Sequence, residues 1–343
     1  MMKDDTKGAL QLKLEESEID NQNPWGDDAL GRSEVAKALT NLISDQESPI
    51  VVSLNGRWGT GKTFLLRRWQ KQLEIDTYQC VYFNAWEDDF CDDPLTAIIG
   101  QLSGIISEGR FKETVERIKE TAKPLLMQSS IGVLNRFTGV NLNAVRDEIG
   151  ENAFQEYTNL REHKDDLKTR LTEFASEVKC QTGHPLVFVI DELDRCRPTF
   201  TIELLERVKH IFDVPNVVFV FGINREELCV SIQSVYGKIN ADIYARRFFD
   251  LEFVLPDIDT VAFCRSLTER YQLKPFFDDQ RLDDDWFTDF FSVVSRCFGF
   301  SLRDMDHCMR TVVFVRKNTE EGQGNEEGQG LQAILLSILV ALR

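Results

Sequence analysis

Closely spaced cysteines, long apolar runs and an excess of positive charge are all missing from this 343-residue sequence. Its eight cysteines (Cys80, Cys91, Cys180, Cys196, Cys229, Cys264, Cys297 and Cys308) never fall at the two-to-four-residue spacing that a structural zinc site needs. They read as reduced, mostly buried thiols of a cytoplasmic protein. The most apolar run, from Leu331 to Leu342, is about twelve residues long where a membrane helix needs roughly twenty. The opening MMKDDTKGALQLKLEESEID has no apolar signal core, so no bilayer span is predicted. Lys plus Arg number 40 against 57 Asp plus Glu, a net charge of −17 that repels phosphate backbones wherever basic residues are not concentrated. One local concentration exists, Arg110, Lys112, Arg117, Lys119 and Lys123.

Nine prolines, twenty glycines and 42% apolar residues exclude a fibrous or wholly disordered chain. The length implies one large α/β domain with an appendage, or two domains. His163, His184, His210 and His307 form no ligand pair. Asp278-Asp279 and Asp283-Asp284-Asp285 lack the glycine turn and closing glutamate of a calcium loop.

Residues 1–28 are polar and aperiodic, and read as a loose arm. From Arg32, the apolar residues Val35, Leu39, Leu42 and Ile43 follow helical spacing, and PIVVSLN (49–55) then reads as a buried strand. A glycine-rich turn, the helix TFLLRRWQKQL and a second strand, QCVYFNAW (79–86), come next. Residues 92–183 carry helical spacing almost throughout. LVFVI (186–190) and NVVFVFGI (216–223) are buried strands flanking a helix over 200–212, and FDLEFVLP (249–256) supplies a fifth strand. Strands alternating with helices predict a parallel sheet covered on both faces. Beyond Pro256 the pattern is helical, interrupted by a flexible loop at 318–330 that contains two EEGQG copies, before a last helix.

Gly56-Arg57-Trp58-Gly59-Thr60-Gly61-Lys62-Thr63 fits G-x-x-x-x-G-K-[ST] between a buried strand and a helix, the context that a phosphate-binding loop requires. Backbone N–H groups of the turn and the start of the helix at Phe64 cradle phosphate, Lys62 reaches the β- and γ-phosphates, and the Thr63 hydroxyl meets Mg2+. Asp191 and Glu192 end the strand LVFVI: Asp191 is placed to hold Mg2+, and Glu192 to polarise the attacking water. A turn asparagine is one reading of Asn224; a group that senses the γ-phosphate is the other. Arg246 and Arg247, and Arg303 behind a Ser301 N-cap, are either surface charges or arginine fingers. The finger would act in cis from Arg303, or in trans from Arg246 or Arg247. The guanine-reading N-K-x-D is missing, which favours adenine.

On GRWGTGKTFLL (56–66), VYFNAWEDD (81–89), LVFVIDELDRCRP (186–198), NVVFVFGINREEL (216–228) and RRFFDLEFVLP (246–256), the chain resembles the KAP P-loop NTPases. The resemblance covers about residues 30–256. It implies an additional-strand NTPase related to AAA+ and signalling ATPases, sheet order 5-1-4-3-2, with Walker roles for Lys62, Thr63, Asp191 and Glu192. DDALGRSEVA (27–36) resembles the family's box ahead of the loop, which implies that Leu30, Gly31 and Arg32 line the adenine pocket. Asp194 and Arg195 match a D-R extension of undefined role. Family members often have aspartate at the positions of Asn224 and Glu192, and many carry membrane helices where residues 92–183 are polar. Membrane attachment therefore does not carry over.

The combined expectation is a P-loop core over 29–256 with a helical insertion at 92–183, and a helical lid over 257–343. It is an ATPase using ATP and Mg2+, a switch or assembly motor for a separate protein effector encoded nearby, able to form a homo-oligomer. Bacterial relatives suggest defence against phage as a setting. A nucleic-acid motor or loader and a non-hydrolysing ATP scaffold are the alternatives.

Overall fold

The computed structural model describes residues 19–102, 104, 111–138, 149–257, 259–273 and 284–320. In chain order the elements are α1 (Arg32–Ile43), β1 (Ile50–Asn55), α2 (Lys62–Ile75), β2 (Cys80–Asn84), α3 (Pro94–Leu102), α4 (Lys112–Thr138), α5 (Ile149–Thr182) and β3 (Leu186–Asp191). A 3-10 turn, Leu193–Arg195, leads into α6 (Pro198–Ile211), β4 (Val217–Ile223), α7 (Arg225–Tyr236), α8 (Ala241–Ala245) and β5 (Leu251–Val254). Then come α9 (Thr260–Arg270), α10 (Asp284–Phe298) and α11 (Leu302–Glu320).

The strands form one parallel sheet in the order β2-β3-β4-β1-β5, the order predicted. Parallel strands require crossovers: the helices α3 to α5 join the neighbours β2 and β3, and α6 joins β3 and β4. β4 lies between β1, which runs into the phosphate-loop motif, and β3, which ends at Asp191: this is the additional strand. Every residue of β3 and β4 is buried, matching their unbroken apolar runs. β5 departs from the expectation of full cover. It pairs with β1 alone, and Leu251, Glu252 and Val254 are exposed, as befits a short edge strand.

The chain divides into two compact units. The sheet unit comprises Ser33–Arg57 and Lys62–Leu255. Its core runs from stacked Phe188 and Phe219, 4.6 Å between centroids, into the insertion. There Phe111, Val115 and Ile118 of the α4 region share a core with Leu171, Phe174 and Val178 of α5. The helical unit comprises Met1–Arg32, Trp58–Gly61 and Pro256–Arg343. Its own core holds Cys264, Leu267, Phe287, Phe291, Met305, Met309 and Val312.

Several expectations shift. Three cations of the basic strip are paired along α4, Arg117, Lys119 and Lys123 each with a glutamate three or four residues earlier (Glu113, Glu116 and Glu120), while Lys112 is exposed at the start of the helix and Arg110 lies outside the described residues. All eight cysteines are free, but only Cys80, Cys196, Cys264 and Cys308 are buried. α11 continues through Glu320, so the start of the expected loop at 318 is helical; residues 321–343, with the rest of that loop and the last helix, lie outside the described residues. So do residues 1–18 of the arm and Asp278 to Asp283. No described helix is long and apolar enough to cross a membrane.

Candidate functional site

In the sheet unit, β1 hands the chain to the glycine-rich turn at Gly56, whose N–H donates to Ile223 O at the end of β4 (3.0 Å). Lys62 opens α2 and is buried. Its Nζ turns back along the loop, donating to Gly56 O (2.6 Å) and Arg57 O (3.2 Å). Burial pulls the ammonium below its ordinary pKa, and the opposing carboxylates of Asp194, Asp191 and Glu192 hold the charge in place.

Asp191 ends β3 as a buried carboxyl. Its Oδ1 accepts the Glu192 N–H (2.8 Å), its Oδ2 accepts the Tyr82 hydroxyl (3.0 Å), and the Thr63 hydroxyl bonds it as well. Desolvation pushes its pKa up; those three donors and Lys62 pull it back. Room for this carboxylate comes from β4: a Cβ on Gly222 would stand 2.7 Å from Asp191 Oδ1 and 2.6 Å from Leu66 Cδ1. Glycine is needed here for close approach rather than for backbone freedom.

Glu192 sits at φ 59°, in the left-handed region, and so turns its side chain sharply away from the strand. Oε1 pairs with Arg195 Nη1 at 2.6 Å, and Oε2 accepts Asn84 Nδ2 at 3.3 Å. Burial raises its pKa, with Arg195 the main opposing influence.

The remaining predicted residues of this unit are scattered. Asn224 is buried as the N-cap of α7, its Oδ1 accepting Glu226 N–H at 3.2 Å. Phe64 lies under the Arg68 guanidinium, 3.6 Å from its ring centre. Arg57 is exposed. Arg246 and Arg247 are exposed at the end of α8, Arg246 paired with Asp242 (3.1 Å) and Arg247 over the Tyr244 ring.

The helical unit holds the middle of the loop. Gly59 (φ 74°) lies so close to the start of α11 that a Cβ would stand 2.6 Å from Ser301 Oγ, and its carbonyl accepts the Leu302 N–H (3.0 Å). Ser301 caps α11 reciprocally with Asp304, as its N–H and hydroxyl both donate to Asp304 Oδ2 (2.8 and 2.7 Å). Arg303 follows in the first turn and is exposed. Arg32 is buried: Nη1 donates to Pro256 O (3.0 Å) and Nη2 to Thr60 O (3.1 Å), while Asp28 Oδ1 accepts its N–H (2.9 Å). Two of its guanidinium nitrogens thus serve backbone carbonyls, while its buried Nε has no hydrogen-bond partner among the described residues. Leu30 is half-buried and Gly31 exposed, Gly31 at φ 64°; Trp58 is exposed and Gly61 half-buried.

Sequence reasoning missed Tyr82, Asn84 and Gly222. Tyr82 and Asn84 stand two apart on one face of β2, and Asn84 lies opposite Asp191 in register. The signal is visible in FNAW, yet it points at Glu192 only once β2 is known to pair with β3.

A family model described as the KAP family P-loop domain matches residues 32–317. No curated protein matches the sequence. Among solved structures, the Aeropyrum pernix ORC2 protein is 16% identical, with 90% of this chain and 68% of that chain covered at a TM-score of 0.44. A katanin structure is 14% identical over 92% and 83% of the two chains (TM-score 0.39). Domain III of the Thermotoga maritima replication initiation protein DnaA is 12% identical over 92% of each chain (TM-score 0.36). With a P-loop opening α2, an acidic pair closing β3 and an additional strand between them, a nucleotide-binding chain is described, and it belongs to the KAP family of P-loop NTPases.

Proposed function

We propose that this chain hydrolyses ATP with Mg2+ and uses the cycle to switch a separate protein effector. The observation that carries the reading is a buried Asp191 carboxylate hydrogen-bonded to Thr63, with the buried Lys62 ammonium electrostatically opposed to it and Glu192 next in the chain. A buried carboxylate bonded to a threonine hydroxyl is a set of hard oxygen donors that suits Mg2+, so Thr63 and Asp191 are the residues that would hold it. When bound, the ion would neutralise charge on the β- and γ-phosphate oxygens. Lys62 exchanges its loop carbonyls for phosphate oxygens, and the N–H groups from Gly59 to Phe64 cradle the phosphates. Glu192 accepts the proton of the attacking water, a task suited by a carboxyl whose burial raises its proton affinity. Asn224 keeps its Nδ2 donor for that water or the γ-phosphate while Oδ1 serves the helix.

Absence of N-K-x-D supports adenine as the base, with Leu30, Gly31 and Arg32 beside it. Arg246 and Arg247 lie on an exposed turn from which a second subunit is reachable, so a finger in trans is read as activity per subunit that rises with protein concentration. Arg303 acts in cis if activity is flat.

The test is Glu192→Gln. The variant retains ATP with near-normal affinity and releases little phosphate, a loss of about 100-fold or more. Normal turnover in the variant refutes Glu192 as the base, and turnover that persists in EDTA refutes the metal.

A further inference from the structure

The fold brings the box FNAW and Arg195 of the D-R extension together around Glu192. A carboxylate on a three-rotor side chain is a poor general base unless its plane is fixed, and the left-handed backbone at Glu192 leaves that side chain projecting from a turn. Two neighbours fix it. Asn84 Nδ2 donates to Oε2, and the same amide's Oδ1 accepts the Trp86 N–H at 3.1 Å. Arg195 Nη1 pairs with Oε1, and its guanidinium also lies over the Trp86 indole, 5.5 Å from the centroid. Trp86 itself is 53% exposed, although Ala85 beside it is fully buried, so hydrophobic burial does not account for the indole.

The loop that carries Trp86 is pinned to the same turn. Arg197 N–H and Nε donate to the two Asp89 carboxylate oxygens, each at 2.9 Å, and Arg197 Nη2 donates to Cys91 O at 3.1 Å. The chain beside Trp86 is thereby tied to the turn that carries Arg195, and the indole offers that guanidinium an aromatic face.

We propose that Arg195 is a positioning residue for the general base: resting over Trp86, it fixes the plane of the Glu192 carboxylate jointly with Asn84. A carboxylate has about four lone-pair sites, so two contacts leave acceptor capacity toward water. This inference rests on Glu192 being the base. It assigns Arg195 an action through Glu192 rather than on the nucleotide.

The test combines kinetics with a readout independent of turnover. In this 343-residue chain, Arg195→Ala lowers kcat by about 10–100-fold while ATP affinity stays within about twofold, and Arg195→Lys, which keeps the charge but not the planar guanidinium, recovers only part. In a Glu192→Gln background, Arg195→Ala removes little further of the residual rate. The Trp86 indole N–H resonance, assigned by its loss in Trp86→Phe, moves in both Arg195→Lys and Glu192→Gln, and stays in place in Lys71→Ala, which breaks a remote surface ion pair.

An unchanged or increased kcat in Arg195→Ala overturns the inference. So does an equal loss in the Glu192→Gln background, or an indole resonance indifferent to residue 192. If Arg195→Ala does not fold, Arg195→Lys and Arg195→Gln carry the same comparison. Normal turnover in Glu192→Gln alone fails the catalytic reading instead, and the indole shift then still reports whether the clamp exists.

Discussion

One glycine-rich loop is supported in two different ways. Its ends, Gly56-Arg57 and Lys62-Thr63, group with the sheet unit and are held by charge: a buried ammonium on the loop's own carbonyls, facing the carboxylates of Asp194, Asp191 and Glu192. Its middle, Trp58–Gly61, groups with the helical unit and is held by shape and backbone hydrogen bonds, through Ser301, Leu302 and Arg32. Charge at the ends is the part that a phosphate can use directly. Close backbone packing in the middle is the part that holds Gly59 and the Thr60 carbonyl in place. Substitutions at the ends therefore change ligand affinity with little change in stability, whereas substitutions in the middle change stability first.

The sharpest test of that division is Lys62→Ala. Loss of a charged phosphate contact costs about 2–3 kcal/mol, on the order of a hundredfold in ATP affinity, while the melting temperature stays close to wild type because no core volume is removed. Titration calorimetry and a melt, run on the same sample, read both. A large drop in melting temperature would erase the contrast.

Gly59→Ala is the converse case. It places a Cβ against Ser301 Oγ and asks a non-glycine residue to hold φ 74°, at a cost of about 2–3 kcal/mol seen as a lower melting temperature. Should the variant melt normally, the approach of loop and α11 is looser than 2.6 Å implies.

Arg32→Met keeps the aliphatic length but strands the Thr60 and Pro256 carbonyls. The expected destabilisation is about 1–2 kcal/mol, smaller because water can reach a relaxed carbonyl. If Arg32 instead serves only the adenine pocket, ATP affinity falls and denaturant stability does not.

The smallest effect is confined to the helical unit at alkaline pH. The Tyr271 hydroxyl donates to Asp306 Oδ1 (2.8 Å) and accepts from Arg310 Nε (3.0 Å), and burial with the carboxylate pushes its pKa up to about 12. Between the ordinary tyrosine pKa near 10 and this raised value, the folded state binds the proton that the unfolded state has released, so stability falls as pH rises. Tyr271→Phe removes that dependence: melts from pH 9 to 11 should fall less steeply in the variant. Equal slopes would show that Tyr271 titrates normally.

Much of this was legible early, because the deciding signals are local. Unbroken apolar runs marked β3 and β4, the eight-residue loop motif marked the start of α2, and the Ser301 cap marked α11. Local pattern also misled. FDLEFVLP follows the central strands as a fifth run but carries Asp250 and Glu252, and β5 is an exposed edge, since pairing on one side only is a property of sheet order. The basic strip on the insertion looked like a charged surface until helical spacing placed a glutamate beside each of three cations.

What the sequence determined by itself was which chemical groups exist and which element each one ends: Lys62 at the head of a helix, Asp191 and Glu192 at the tail of a strand. Tertiary structure alone decided their company. Tyr82 and Asn84 meet the acidic pair because β2 pairs with β3 across more than a hundred residues of chain, Gly222 makes room for Asp191 because β4 is the inserted strand, and Arg195 finds Trp86 because the Asp89–Arg197 pair ties their loops. Those contacts depend on long-range pairing and register, whose energetics are spread over the whole sheet and so leave no mark on any short stretch of residues.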